Sequence, residues 1–254
     1  MNRRNAAALL TLAAVGLGAV GCATQDPLGA IATSPSATPS PSGSLTPSPT
    51  HPPTPTVEPF LLGPSDALGP LATPGPVGSP GPEEMPIPFG AVLAPPAVLR
   101  PGPVGDGIQC EKSEKLLFHV HTRLAIFING EPRQVPYGIG IAPPWTLDHK
   151  PDGNVFVTNG SCFSWLHTHT PDGMIHIEAP IPRTFTLGDF FDVWGQRLSP
   201  NQIGPYTGQV TAFFNGQRYL GNPRDIPIGY HVQIQLDLGS PVVAPADVEF
   251  RGGL

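Results

Sequence analysis

Apolar and polar positions alternate through residues 116–130, "LLFHVHTRLAIFING", with β-branched and aromatic residues in the run. That period of two predicts a β-strand, and Asn129-Gly130 at its end is a strong two-residue hairpin signal. Residues 210–236, "VTAFFNGQRYLGNPRDIPIGYHVQIQL", repeat the layout. Ala212-Phe213-Phe214-Asn215-Gly216 matches Ile126-Phe127-Ile128-Asn129-Gly130, and Ile226-Pro227-Ile228-Gly229 loosely echoes Val135-Pro136-Tyr137-Gly138. The period changes to that of a helix in "TFTLGDFFDVWG". Thr186 can cap this helix with Asp189 three residues on, Phe190, Phe191 and Trp194 form its apolar side, and Gly195 stops it. Asp189 and Asp192 read as exposed acids that suit the start of the helix dipole. The expectation is a mainly β domain: a small sandwich or barrel with two related hairpin units and one short helix. An α+β domain is the alternative.

The pattern is different before residue 108. Arg3 and Arg4 precede an Ala/Leu/Val run that ends in Ala19-Val20-Gly21-Cys22, the layout of an export signal. A small-small-Cys ending resembles the lipobox of bacterial lipoproteins, which implies lipid on Cys22 and residues 1–22 as a signal peptide. The arginine pair is compatible with twin-arginine export. Residues 23–107 carry most of the chain's 36 prolines, with Ser, Thr and Gly between them. Such composition predicts a disordered, partly stiff spacer, with His51 a bystander inside it. Residues 108–254 are then the folded domain, displayed outside the cytoplasm on a cell-envelope lipoprotein.

The net charge is −6, and no basic stripe, Gly-rich phosphate loop or long amphipathic helix is present. This excludes nucleic-acid and nucleotide partners as expectations. With Cys22 assigned to lipid, Cys110 and Cys162 remain, and an exported domain oxidises such a pair to a disulfide. The competing reading makes Cys162 a copper ligand. Strand parity opposes that, because Cys162, Ser164 and Leu166 share one side while Trp165, His167 and His169 share the other.

Histidine carries the candidate chemistry. His119 and His121 form a His-x-His pair in "FHVHT", and His167 and His169 form a second in "LHTHT". On a strand, residues two apart point the same way, about 7 Å from Cα to Cα, so both rings can reach one ion. Thr170-Pro171-Asp172-Gly173 is a good turn. A two- or four-residue loop there sets His167 opposite His176 and Trp165 opposite Glu178, so that His167, His169, His176 and Glu178 converge. A three-residue loop with a bulge sends His176 to the other side. Neutral imidazoles suit one copper or zinc ion, with Glu178 as a ligand, an orienting group or a general base. His231 is a lesser candidate ligand and His149 reads as solvated. Thr168 and Thr170 read as ordinary strand residues.

The passages "FHVHTRLAIFING", "SWLHTHTPDGMIHIE" and "RTFTLGDFFDVWG" resemble a histidine-rich domain of bacterial exported proteins and lipoproteins. The resemblance implies the domain boundaries and the histidine positions but no activity. Two functions are compatible with these readings. One is a membrane-tethered, extracytoplasmic module binding copper or zinc, as a carrier or as a mononuclear metalloenzyme. The other is a structural or adhesive β domain on a proline-rich stalk. In that case Phe163, Trp165, Phe190, Phe191 and Trp194 would be available to a protein or polysaccharide partner, although core packing is the commoner use of each.

Overall fold

A computed structural model of the chain describes residues 52–99, 103–151, 153–251 and Leu254. The expected signal peptide, Cys22, the first part of the expected spacer and His51 lie outside the described residues.

The centre of the fold is an eight-stranded sheet. Its strands are β1 (Leu62–Gly63), β2 (Phe118–Ile128), β3 (Glu131–Arg133), β4 (Leu166–His167), β5 (Met174–Ala179), β6 (Val210–Phe214), β7 (Gln217–Tyr219) and β8 (Val232–Leu238). They lie in the order β1-β7-β6-β8-β2-β5-β4, with β3 also paired to β2. Every pairing is antiparallel except β8 with β2. The sheet is open, so the mainly β expectation holds and its barrel form does not. Four smaller sheets of two or three short strands surround it.

Alternation gives the sheet two unlike faces. Val120, Leu124, Ile126 and Ile128 of β2, Ile175, Ile177 and Ala179 of β5, and Val232, Ile234 and Leu236 of β8 are buried on one side. There they join a core with Leu187, Phe190, Phe191 and Trp194 of α1 (Leu187–Trp194). Complete burial of such side chains contributes about 1.5–3 kcal/mol each. The intervening residues (His119, His121, Arg123; His176, Glu178; Gln233, Gln235, Asp237) form the opposite face, because cross-strand partners point the same way.

Both hairpins form as their Asn-Gly turns require. Asn129 and Gly130 have φ of 51° and 81°, and Asn215 and Gly216 have 47° and 79°. These values suit a type I′ turn, which matches strand twist. The likeness between the two units ends there. β3 and β5 share one edge of β2, whereas β7 and β8 lie on opposite edges of β6. The helix has the expected capping box, with Thr186 Oγ1 accepting from Asp189 N at 3.2 Å and Asp189 Oδ2 accepting from Thr186 N at 2.8 Å. Folded back in this way, Asp189 is buried rather than exposed, and Asp192 pairs with Arg224 at 2.7 Å.

Cys110 and Cys162 form a disulfide with Cα atoms 5.4 Å apart, which removes Cys162 from any ligand set.

The spacer boundary at residue 107 needs correction. One compact unit runs from Pro49 to Leu254. β1 pairs with β7, Ala72 bridges to Val243 and Val92 bridges to Gln134. Met85, Ile87 and Leu93 are buried. Average composition conceals this strap, because its few apolar side chains fall between prolines and bury themselves on a surface provided by the rest of the chain. Missing proline donors cost little where so few ladder bonds are made.

Candidate metal centre

The centre is built where β2, β5 and β4 meet. His176 stands opposite both His121 and His167, and Glu178 stands opposite His119. Glu178 N donates to Trp165 O at 2.8 Å, which continues the register that a four-residue loop requires. The turn is fixed locally. Asp172 Oδ1 accepts from Met174 N at 2.8 Å, and Gly173 takes a φ of 87°. A Cβ there would lie 2.1 Å from Leu124 O, so no other residue fits without moving β2.

Beyond His167 the chain leaves β5. Thr168 N donates to Ile139 O at 3.0 Å, while Thr168 Oγ1 donates to Pro136 O at 2.8 Å and accepts from Ile139 N at 3.2 Å. Thr168 is therefore an anchor for residues 136–139 and not an ordinary strand residue. Thr170 also lies outside any strand. The departure carries His169 to Val157, whose N–H donates to the His169 carbonyl at 3.0 Å. The turned backbone still aims the His169 ring at His167.

Hydrogen bonds determine which ring nitrogens remain open. A carbonyl only accepts, so the contacts of His167 Nδ1 with Ser164 O (2.8 Å) and of His169 Nδ1 with Val157 O (2.6 Å) place the hydrogens on Nδ1. Their Nε2 atoms then face each other as bare lone pairs 3.1 Å apart. His119 Nε2 and His121 Nε2 are 3.0 Å apart, and His121 Nε2 is 3.2 Å from His176 Nδ1. Phe156 stacks on the His169 ring at 4.6 Å between centroids and holds its plane.

Three carboxylates complete the group. Glu178 Oε1 lies 3.2 Å from His119 Nε2, 3.6 Å from His176 Nδ1 and 3.9 Å from His167 Nε2. Glu83, from the strap, accepts from His176 Nε2 at 2.6 Å. Glu114 Oε1 is 3.5 Å from His169 Nε2. Three overlapping trios have ligand atoms within 4.8 Å of one another: His119, His121 and His176; His167, His169 and His176; Glu114, His167 and Glu178. Sequence reasoning missed Glu83 and Glu114. The signal for Glu83 was the acidic pair Glu83-Glu84 beside Met85 and Ile87, an apolar alternation amid prolines.

Burial sets the charges. It lowers the His121 pKa to about 2, with the charge on His176 as the next cause. Burial likewise holds His167 well below its ordinary value and takes His169 to about 4. His119 is also lowered, mainly by burial. His176 is the exception. Burial opposes its charged form, yet Glu83 and Glu178 outweigh that and push it up to about 10. In the metal-free protein one imidazolium thus offsets buried carboxylates, while four neutral rings present lone pairs. Burial and the Glu178 charge raise the Glu114 pKa.

The remaining candidates lie elsewhere. His231 Nε2 bonds to Leu254 O at 2.8 Å and its ring stacks between Tyr230 and Phe250, so it joins none of the three trios. His149 is exposed on the strand Thr146–His149. Of the aromatic residues named for an adhesive role, Phe163, Phe190, Phe191 and Trp194 are buried in packing and Trp165 is partly accessible. No family model, curated protein or solved structure matches the chain.

Proposed function

We propose that this protein is an extracytoplasmic metal-binding module that holds copper or zinc and is tethered to the cell envelope through lipid on Cys22. One observation carries the reading. His119 Nε2, His121 Nε2, His176 Nδ1 and Glu178 Oε1 are separated by 3.0, 3.2, 3.6 and 3.2 Å in turn around the group. Ligands about 2.0–2.1 Å from a tetrahedral ion stand about 3.3–3.4 Å from one another. Hydrogen-bonded partners on the far side of the rings support it further. Glu83 behind His176 and the backbone carbonyls behind His167 and His169 are the outer partners that fix tautomer and orientation in metal sites.

Imidazole-rich donors favour copper or zinc over calcium or magnesium, which prefer all-oxygen cages. The Cys110–Cys162 disulfide is compatible with an oxidising, extracytoplasmic setting. The His119 side chain is 37% exposed beside otherwise buried ligands, so solvent reaches the centre from its side. An enzymatic role would take the form of a metal-bound water with Glu178 as its base.

The test is metal content of protein exported without a histidine tag, measured beside a His167→Ala/His169→Ala double variant. Bound copper or zinc that the variant loses in whole or in part supports the reading. Thermal stability should rise with the metal, by about 2.7 kcal/mol when free ion is a hundredfold above Kd. No metal and no shift after challenge with both ions would refute it.

A further inference from the structure

The donor set is larger than one ion uses. A tetrahedral ion takes four ligands, whereas His119, His121, His167, His169 and His176 converge here with Glu114 and Glu178, and Glu83 stands behind His176. The shortest contacts divide them into two groups, with the His176 ligand atoms within 4.8 Å of both histidine pairs. His119, His121 and His176 form one compact trio that Glu178 Oε1 closes. The other group holds His167 Nε2 and His169 Nε2, 3.1 Å apart, with Glu114 Oε1 3.5 Å from the second. Glu178 belongs to both groups, since Glu114, His167 and Glu178 also present ligand atoms within 4.8 Å of one another. Its second oxygen, Oε2, is buried without a hydrogen-bond partner.

We propose that the centre holds two transition-metal ions bridged by the Glu178 carboxylate: one on His119, His121 and His176, the other on His167, His169 and Glu114. This rests on the metal-binding reading of the same residues and extends it from one ion to a pair.

Lone pairs and charge both favour the second position. With hydrogens held on Nδ1 by Ser164 O and Val157 O, the Nε2 atoms of His167 and His169 are two acceptors in contact. Two acceptors 3.1 Å apart repel unless a positive centre lies against both. A bound ion supplies it without moving either ring. An ion on the first trio alone would leave this pair as it is. The buried Oε2 of Glu178 would also stay unsatisfied, which is costly for a charged group. Three carboxylates, Glu83, Glu114 and Glu178, stand within contact distance of the histidines and are offset by two dications better than by one. A bridging carboxylate with one oxygen for each ion uses both of its oxygens.

The experiment uses the full-length chain, stripped with a chelator and dialysed. Zn²⁺ is titrated calorimetrically and bound zinc is counted by elemental analysis. Two equivalents are expected in the wild type. Glu114→Gln, which alters a side chain that is a third exposed and leaves the fold alone, should retain one, and so should His121→Ala. Loaded with two Cu²⁺, the protein should show an integrated paramagnetic signal of less than half the copper present, because a bridged pair is exchange-coupled. A wild type that binds one equivalent overturns the pair while leaving the single-ion reading intact. One that binds none overturns both. Two equivalents retained by Glu114→Gln, or two full-spin coppers in the wild type, would overturn the bridged assignment.

Discussion

The polar face of the central sheet has two ends, and both are covered by chain from outside the sheet. At one end Gln235 Nε2 donates to Asp237 Oδ2 and to Val243 O, both at 2.8 Å, and Val243 N returns a bond to Asp237 Oδ1 at 2.9 Å. Nearby, Gln233 takes Val248 N on its oxygen and gives its amide to Val248 O. Donors meet acceptors, and the network needs nothing more. At the other end, acceptors meet acceptors: His167 Nε2 with His169 Nε2, beside a Glu178 oxygen without a partner. Burial is alike, since Gln235, Asp237, His167 and Glu178 are all nearly inaccessible. The difference is in completeness. A buried polar group that closes on itself is structure, and one whose lone pairs converge without donors is a place for something to bind.

The largest expected effect tests whether the covering chain belongs to the fold at all. A chain beginning at residue 108 loses the burial of Met85, Ile87 and Leu93. At about 1.5–3 kcal/mol for each such side chain, the loss is roughly 4.5–9 kcal/mol, comparable to the whole stability of many domains. Denaturant unfolding of this chain against one starting at Pro49 measures it. Midpoints that coincide would reduce the strap to a surface passenger.

Next is the closed end, through pH. Burial raises the Asp237 carboxyl to about 6, although bonds from Val243 and Gln235 pull it down. A folded pKa above the unfolded one means that the native state binds the extra proton. Stability from this group is therefore present below about pH 4 and is lost as pH rises through about 6. Asp237→Asn should flatten that slope, with a wild-type to variant difference of up to about 3 kcal/mol between pH 4 and pH 7. Metal content should not change. The readout is the difference in melting temperature of metal-free proteins at the two pH values, and parallel curves would refute it.

Gln235→Ala is expected to cost less, about 1–3 kcal/mol, by leaving Asp237 Oδ2 and Val243 O short of a donor. The contrasting change, His121→Ala, removes a ring that accepts from the protonated His176 Nδ1 at 3.2 Å, a contact that Glu178 Oε1 offers as well at 3.6 Å. It should cost little stability without metal and a large part of the metal affinity. If both variants moved stability and metal binding together, the two ends would not differ in kind.

What the sequence disclosed follows the same division. Strand alternation, two Asn-Gly turns and a capping box are local chemistry, and each could be read from a few neighbouring residues, while the cysteine pair, 52 residues apart, followed from there being no other partner once Cys22 was set aside. The hairpin register was legible as a choice of loop lengths, which the contacts of Asp172 and Gly173 resolve. What could not be read came from distant chain. Glu83 reaches His176 across 93 residues from a segment whose composition suggests disorder. Thr168 serves the site by holding residues 136–139, and nothing beside it in the sequence announces that contact. His231, placed on a plausible strand by its neighbours, was drawn away by the C-terminal residues Phe250 and Leu254.

The smallest expected effect is the one that joins the strap to the chemistry. Glu83→Gln preserves an oxygen able to accept from His176 Nε2, and Met85 still anchors the segment, so the fold should be unchanged. What it removes is the negative charge behind the ring. That charge makes His176 Nδ1 a stronger donor to a metal, and outer partners of this kind are worth 10–100-fold in affinity. Because the hydrogen bond survives, the lower end is expected: Zn²⁺ affinity about tenfold weaker at unchanged stoichiometry. Competition with a chromogenic chelator reads the affinity directly. An unchanged Kd would mean that Glu83 merely ties the strap down, and the histidine end would then resemble the closed end in this respect.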